Sequence, residues 1–179
     1  MDKRQVKKEV LSWAKTILAA VLMVVIVNAF FVVNAQIPSG SMENTLMIHD
    51  RLLVNRLAYL REGPQRGDII VFRSTEGGSG LLIKRVIGLP GETVEGIGGT
   101  VYVDGAALEE PYRKPEEEAL PSFAADFGPF QVPEGCYFMM GDNRLDSYDS
   151  RYWENPYVSR TSIVGKAALK YYPRIEWLQ

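Results

Sequence analysis

The sequence predicts a mainly β, antiparallel fold that follows one N-terminal transmembrane helix. Three observations carry this expectation. Apolar residues run unbroken from Ile17 to Val27 behind a basic segment. From Arg51 onward, apolar residues fall at period two or in short runs, which is strand patterning. Helical patterning is scarce after the first segment.

The N-terminal element rests on length and charge. Residues 1–15 carry Lys3, Arg4, Lys7, Lys8 and Lys15 against Asp2 and Glu9, a net of +3, whereas the rest of the chain has a net of −5. The window from Thr16 to Ala35 holds 20 residues, with Asn28 the main interruption. About 20 helical residues cross roughly 30 Å of hydrocarbon. Trp13 and Lys15 suit the interface, and the basic flank places the N-terminus in the cytoplasm. The expected organisation is a basic cytoplasmic N-terminus over 1–15, a membrane anchor over 16–35 and an extracytoplasmic domain over 36–179. A cleaved secretory signal is the competing reading, because Val33-Asn34-Ala35 resembles a small-residue cleavage site. Its apolar region is usually only about 7–15 residues, however. A buried soluble helix fits the flanking charges poorly.

The outer domain reads as a series of strands. After a polar loop from Gln36 to Asn44, Arg51–Tyr59 alternates through Leu53, Asn55 and Leu57. Gly67-Asp68 leads into Ile69–Arg73, and Gly77-Gly78-Ser79-Gly80 turns into Leu81–Ile87. Leu89-Pro90-Gly91-Glu92 is a turn. Thr100–Val103 and Ala106–Glu109 flank Asp104-Gly105 as a tight hairpin. Residues 109–126, rich in Pro and Glu, read as an exposed segment. Gln131–Val132, Gly135–Met140 and Ser162–Tyr172 complete the strands, and Gly141–Tyr152 is polar and irregular.

Composition narrows the chemistry. With 46% apolar and 23% charged residues, wholesale disorder is excluded. A net charge of −2 gives no reason to expect nucleic acid. One cysteine, Cys136, and one histidine, His49, cannot build a zinc finger or a two-histidine metal site. No intrachain disulfide can form. A serine-histidine triad could use only His49, so hydrolytic chemistry is expected on other groups.

Three segments could carry such chemistry. Pro38-Ser39-Gly40-Ser41-Met42 places two hydroxyls around a glycine behind a stiff proline. It is either a presenting turn or a plain linker. Leu81-Leu82-Ile83-Lys84-Arg85-Val86-Ile87 sets a cation inside an apolar strand. Alternation puts Leu82, Lys84 and Val86 on one face and Ile83, Arg85 and Ile87 on the other. If Lys84 is buried, its pKa falls from about 10.4 towards 8, a cost of about 3 kcal/mol. The result is an amine able to take a proton. The plainer reading is an edge lysine reaching into water. Gly141–Trp153 is crowded with Asp, Arg, Asn and Ser. It is a solvated loop, a cation site, or a clamp through Asp149 and Arg151. Ser12-Trp13-Ala14-Lys15 also fits a Ser-x-x-Lys pattern, but no Ser-Asp-Asn or Lys-Thr-Gly accompanies it. Cys136 lies in an apolar strand and suits packing better than catalysis with His49.

Taken in order, these blocks resemble the bacterial type I signal peptidase family, the leader peptidases, and among them the single-span Gram-positive-like members. The resemblance rests on the anchor, Pro38–Met42, Asp50–Tyr59, Arg66-Gly67-Asp68-Ile69, Lys84–Glu92 and Gly141–Arg144 with Ser147, Asp149, Ser150 and Arg151. It implies a membrane-bound serine-lysine protease domain that cleaves signal peptides from exported preproteins through an acyl-enzyme. Ser41 matches the nucleophile and Lys84 the general base. Ser39 matches an oxyanion-stabilising side chain. Ser147 matches a serine that orients the lysine, with Asp149 and Arg151 as a supporting pair. Ile37, Met42, Leu46, Leu82 and Ile83 match the walls of shallow pockets for small residues at −1 and −3. The implied partners are signal peptides and membrane lipid, near the secretion translocon at the bacterial cell membrane. No cofactor and no metal are implied. The chain departs from the family pattern at Leu145-Asp146, where Asp-Asn is usual, at Glu154 and at Leu82. The alternative of a different class is an anchored β-domain that binds a surface partner without catalysis.

Overall fold

The computed structural model describes residues 3–30, 32–74, 80–113 and 125–178. Gly77-Gly78-Ser79 of the expected turn and residues 114–124 of the expected exposed segment lie outside the described residues. Helix α1 spans Lys3–Phe30. Strand β1 follows at Val32–Gln36. The window from 16 to 35 is therefore not one continuous helix. Its helical part, 16–30, extends about 22 Å at 1.5 Å per residue. Among the described residues, no helix is long and apolar enough to cross a membrane. The switch at Val32 and Val33 has a local cause. These β-branched residues pair with Val54 and Asn55 across an antiparallel ladder.

The remaining strands are β2 (Arg51–Asn55), β3 (Ile69–Arg73), β4 (Leu81–Gly88), β5 (Thr93–Ile97), β6 (Thr100–Val103), β7 (Ala106–Ala107), β8 (Phe127–Gln131), β9 (Cys136–Met140), β10 (Tyr157–Ser159), β11 (Ile163–Tyr172) and β12 (Glu176–Trp177). The large sheet runs β1-β2-β11-β3-β4-β9-β10, with β12 also paired to β11, and the small sheet runs β7-β6-β5-β8. The pairings are antiparallel throughout. This is the mainly β fold that the patterning predicts.

Strand β3 shows why the large sheet holds. Ile69, Ile70, Val71 and Phe72 are all buried. Ile69 joins Ile37, Met42, Leu46, Leu52, Ala167 and Leu178 on one face. Ile70 and Phe72 join Val86, Tyr137, Met139, Trp153 and Val158 in a second cluster. A strand buried on both faces needs a continuous apolar run rather than alternation. The small sheet is held to the large one by a third cluster, where Ile87, Phe138 and Met140 meet Val94, Val101, Val103 and Val132. Cys136 packs against this cluster, as expected of a small apolar residue.

The candidate active site

The turn that carries Ser41 is built by its neighbours. Residues Gly40–Met42 form one 3-10 turn, and all three are buried. The turn is pinned from the loop after β9. The Asn143 backbone N–H donates to the Ser41 carbonyl at 3.1 Å, and Asn143 Nδ2 donates to the Gly40 carbonyl at 3.0 Å. Gly141 lets that loop approach. A Cβ there would collide with the Ser41 carbonyl and with the Ser147 hydroxyl, and would lie 2.6 Å from Ser147 Cβ. Gly141→Ala is therefore expected to displace the turn. It should lower kcat at least tenfold while circular dichroism still reports a folded sheet, and near-normal kcat would contradict the close approach.

Strand β4 supplies the lysine. Its first half pairs with β3, and Ile70 lies opposite Lys84. The side chain turns inward and is only 5% exposed. Lys84 Nζ reaches Ser41 Oγ at 2.5 Å. Burial pulls the Lys84 amine down to about 8, partly opposed by the nearby Asp149 carboxylate. The edge-lysine reading is thus replaced by a buried amine in contact with a hydroxyl. Ser39 Oγ lies 3.5 Å from Ser41 Oγ on the same cleft.

A chain of buried charges surrounds this pair. Asp149 accepts from Arg151 Nε at 2.8 Å and Nη2 at 2.9 Å, from Ser147 Oγ at 2.6 Å and from the Gly141 N–H at 3.0 Å. Ser147 thus donates to Asp149. Among the described residues it makes no hydrogen bond to Lys84, although both side chains line one cleft. Arg85, on the opposite face of β4, clasps Asp142 through Nε at 2.8 Å and Nη2 at 2.7 Å.

Sequence reasoning did not single out Gly141, Asp142, Asn143, Glu110 or Tyr112 as site residues. Glu110 forms a two-pronged pair with the buried Arg144 and accepts from the Tyr112 hydroxyl at 2.9 Å. The Tyr112 ring lies 4.0 Å from the Arg85 guanidinium carbon. The Gly-Asp-Asn-Arg run was visible, but its contacts come from elements up to 103 residues away. No local pattern encodes them.

The expected pocket residues divide. Ile37, Leu82 and Ile83 line a small cavity of about 70 Å³ with Ala35 to Pro38 and Leu81. Met42 and Leu46 are fully buried in the core cluster that also holds Ile37 and Leu52. Leu82 also lines a larger cleft of about 590 Å³ that contains Ser39, Ser41, Lys84 and Ser147. His49 is exposed, with Nδ1 3.4 Å from Gln36 Nε2. Ser12 uses its carbonyl within α1, accepting from Thr16 Oγ1 at 3.1 Å.

Residues 10–172 match the family described as signal peptidase, peptidase S26. The chain belongs to this family. A probable signal peptidase I-2 of Synechocystis sp. is 39% identical over 91% of this chain and 73% of its own length. Signal peptidase I S of Bacillus subtilis is 35% identical over 93% and 91%. A crystal structure of a signal peptidase I from Enterococcus faecalis V583 is 38% identical and superposes with a TM-score of 0.52, covering 60% of this chain and 98% of that one. The family implied by the ordered blocks is therefore the family found, and it is a family of peptidases.

Proposed function

We propose that this chain is a membrane-anchored serine endopeptidase that removes signal peptides from exported preproteins, cutting after small residues at −3 and −1. The observation that carries the reading is the 2.5 Å contact between Lys84 Nζ and Ser41 Oγ, made where burial lowers the lysine to about 8. The neutral Lys84 amine accepts the Ser41 hydroxyl proton as Oγ attacks the scissile carbonyl. The Ser41 backbone N–H and the Ser39 hydroxyl stabilise the oxyanion. The ammonium then protonates the leaving amine, which leaves an acyl-enzyme on Ser41. Lys84 next takes a proton from water, and the resulting hydroxide releases the signal peptide. Asp149, Arg151 and Ser147 hold the loop against Lys84. The 70 Å³ cavity at Ile37, Leu82 and Ile83 suits methyl-sized side chains.

Anchoring is part of the same reading. Its support is the run from Ile17 to Val27 and the exposure of Ile17, Leu18, Val21, Leu22 and Val24 along α1. In this arrangement residues 1–15 face the cytoplasm, residues 16–30 of α1 hold the membrane, and the catalytic domain begins at β1 on the outer side. Signal peptides and lipid are the partners, and the translocon is the neighbour.

The test is processing of a preprotein with alanine at −3 and −1, in detergent, by wild type and by Ser41→Ala across pH 6.5–9.5. Only wild type should cleave. Because the protonated amine cannot act as a base, its rate should rise about tenfold between pH 7 and 9. Equal cleavage by both proteins, or a flat profile, would remove the reading.

A further inference from the structure

We infer that the large cleft beyond Ser41 receives the mature side of the cleaved peptide, and that Leu145, Tyr148 and Tyr152 select a bulky apolar or aromatic side chain there. This inference rests on the peptidase reading above and adds a specificity determinant to it.

Two spaces of unequal size meet at Leu82. The cavity of about 70 Å³ is lined by Ala35, Gln36, Ile37 and Pro38 opposite Leu81 to Ile83. The cleft of about 590 Å³ contains Ser41 and Lys84, and the two spaces share Leu82. The chain itself gives the order. It leaves α1, lines the small cavity at 35–38, and enters the cleft at Ser39 and Ser41. The peptide follows the same order, with its small side chains in the cavity, its carbonyl at Ser41 and its mature side in the cleft. Volume then sets selectivity. The smaller cavity suits short side chains, whereas the cleft has room for a ring.

The far wall of the cleft is aromatic and preformed. Tyr148 and Tyr152 stack with ring centroids 6.4 Å apart and planes 12° from parallel. The Arg151 guanidinium carbon lies 4.9 Å from the Tyr152 ring centroid, and Arg151 is itself locked onto Asp149. Tyr148 is 62% exposed and Leu145 is 54% exposed. Folding gains little from rings left in water. A peptide side chain that covers them removes that surface on binding, without paying to order the wall.

The experiment uses full-length protein in detergent and preprotein substrates with alanine at −3 and −1. Positions −2, +1 and +2 are each set to alanine or phenylalanine. For wild type, kcat/KM should be higher with phenylalanine at +1 or +2. That ratio should fall about tenfold in Tyr148→Ala and persist in Tyr148→Phe. A ratio taken within one protein does not change with the amount folded, so a merely structural role for Tyr148 would leave it unmoved. Wild type that cleaves the all-alanine substrate without a preference at +1 or +2 would overturn the subsite and leave the peptidase reading standing. A Tyr148-dependent preference at −2 would overturn the mature-side assignment. Failure of wild type on every substrate would overturn both.

Discussion

Lys84→Met should abolish processing, lowering kcat/KM by roughly 10⁴-fold or more, while making the fold more stable at pH 7. The two effects have one cause. The ordinary lysine value of 10.5 is lowered to about 8 in the folded protein. The folded state therefore binds the proton less well than the unfolded chain does. That penalty is fully present below pH 8 and fades as pH rises through 10.5. Its size is at most about 3 kcal/mol, reduced by the lost contact with Ser41. Urea denaturation of wild type and Lys84→Met at pH 7 and at pH 10.5 would show it. Lys84→Met should gain about 1–3 kcal/mol at the lower pH and little at the higher. A variant that is inactive but destabilised at pH 7 would mean that the lysine is not strained. Activity within tenfold of wild type would remove Lys84 from the chemistry.

Asp149→Ala should act in the opposite direction on stability. Asp149 is wholly buried and accepts from Arg151, Ser147 and the Gly141 N–H. Deleting the carboxylate leaves the Arg151 guanidinium buried without its counter-charge. Breaking one partner of such a pair costs about 3–5 kcal/mol, a large share of the 5–15 kcal/mol that holds a typical domain. The urea midpoint should fall by roughly 2 M. Asp149→Asn keeps the volume and one acceptor and should lose less. A midpoint unchanged by Asp149→Ala would mean that the pair contributes nothing net. Activity should fall with the alanine variant as well, because Gly141 and Ser147 lose their common acceptor beside the Ser41 turn.

The part of the fold that was legible is the part whose residues speak locally. Ile69–Arg73 has the bounds that its apolar run and the closing arginine predict. The alternation of β4 separates Lys84 from Arg85, and the two side chains reach Ser41 and Asp142 respectively. The strands that were missed are made by their neighbours. Strand β5 carries Gly96 and Glu95 in five residues, and it is a strand because β6 and β8 flank it. Strand β8 starts at Phe127, before the expected Gln131, and contains Gly128-Pro129, because an edge position tolerates proline. Strand β1 was read as membrane helix because Val32 and Val33 are apolar as well as β-branched. In the site, the Ser41 and Lys84 segments stood out as a motif and as a misplaced charge. Asn143 and Glu110 stood out in neither way, since their value lies in partners distant along the chain.

The described residues on either side of 114–124 meet at one turn. Arg113 Nη1 donates to the Gly99 carbonyl at 2.8 Å, the Gly99 N–H donates to the Ala125 carbonyl at 3.2 Å, and the Gly98 N–H donates to Asp126 Oδ1 at 2.7 Å. Joining two points that the fold already holds grows costlier only slowly with added chain, by about 0.6 kcal/mol for each doubling of length. The number of residues between Arg113 and Ala125 is therefore nearly decoupled from the catalytic framework. This position can accept an affinity tag or a grafted domain while Glu110 and Tyr112, on the near side of the junction, keep their hold on Arg144 and Arg85.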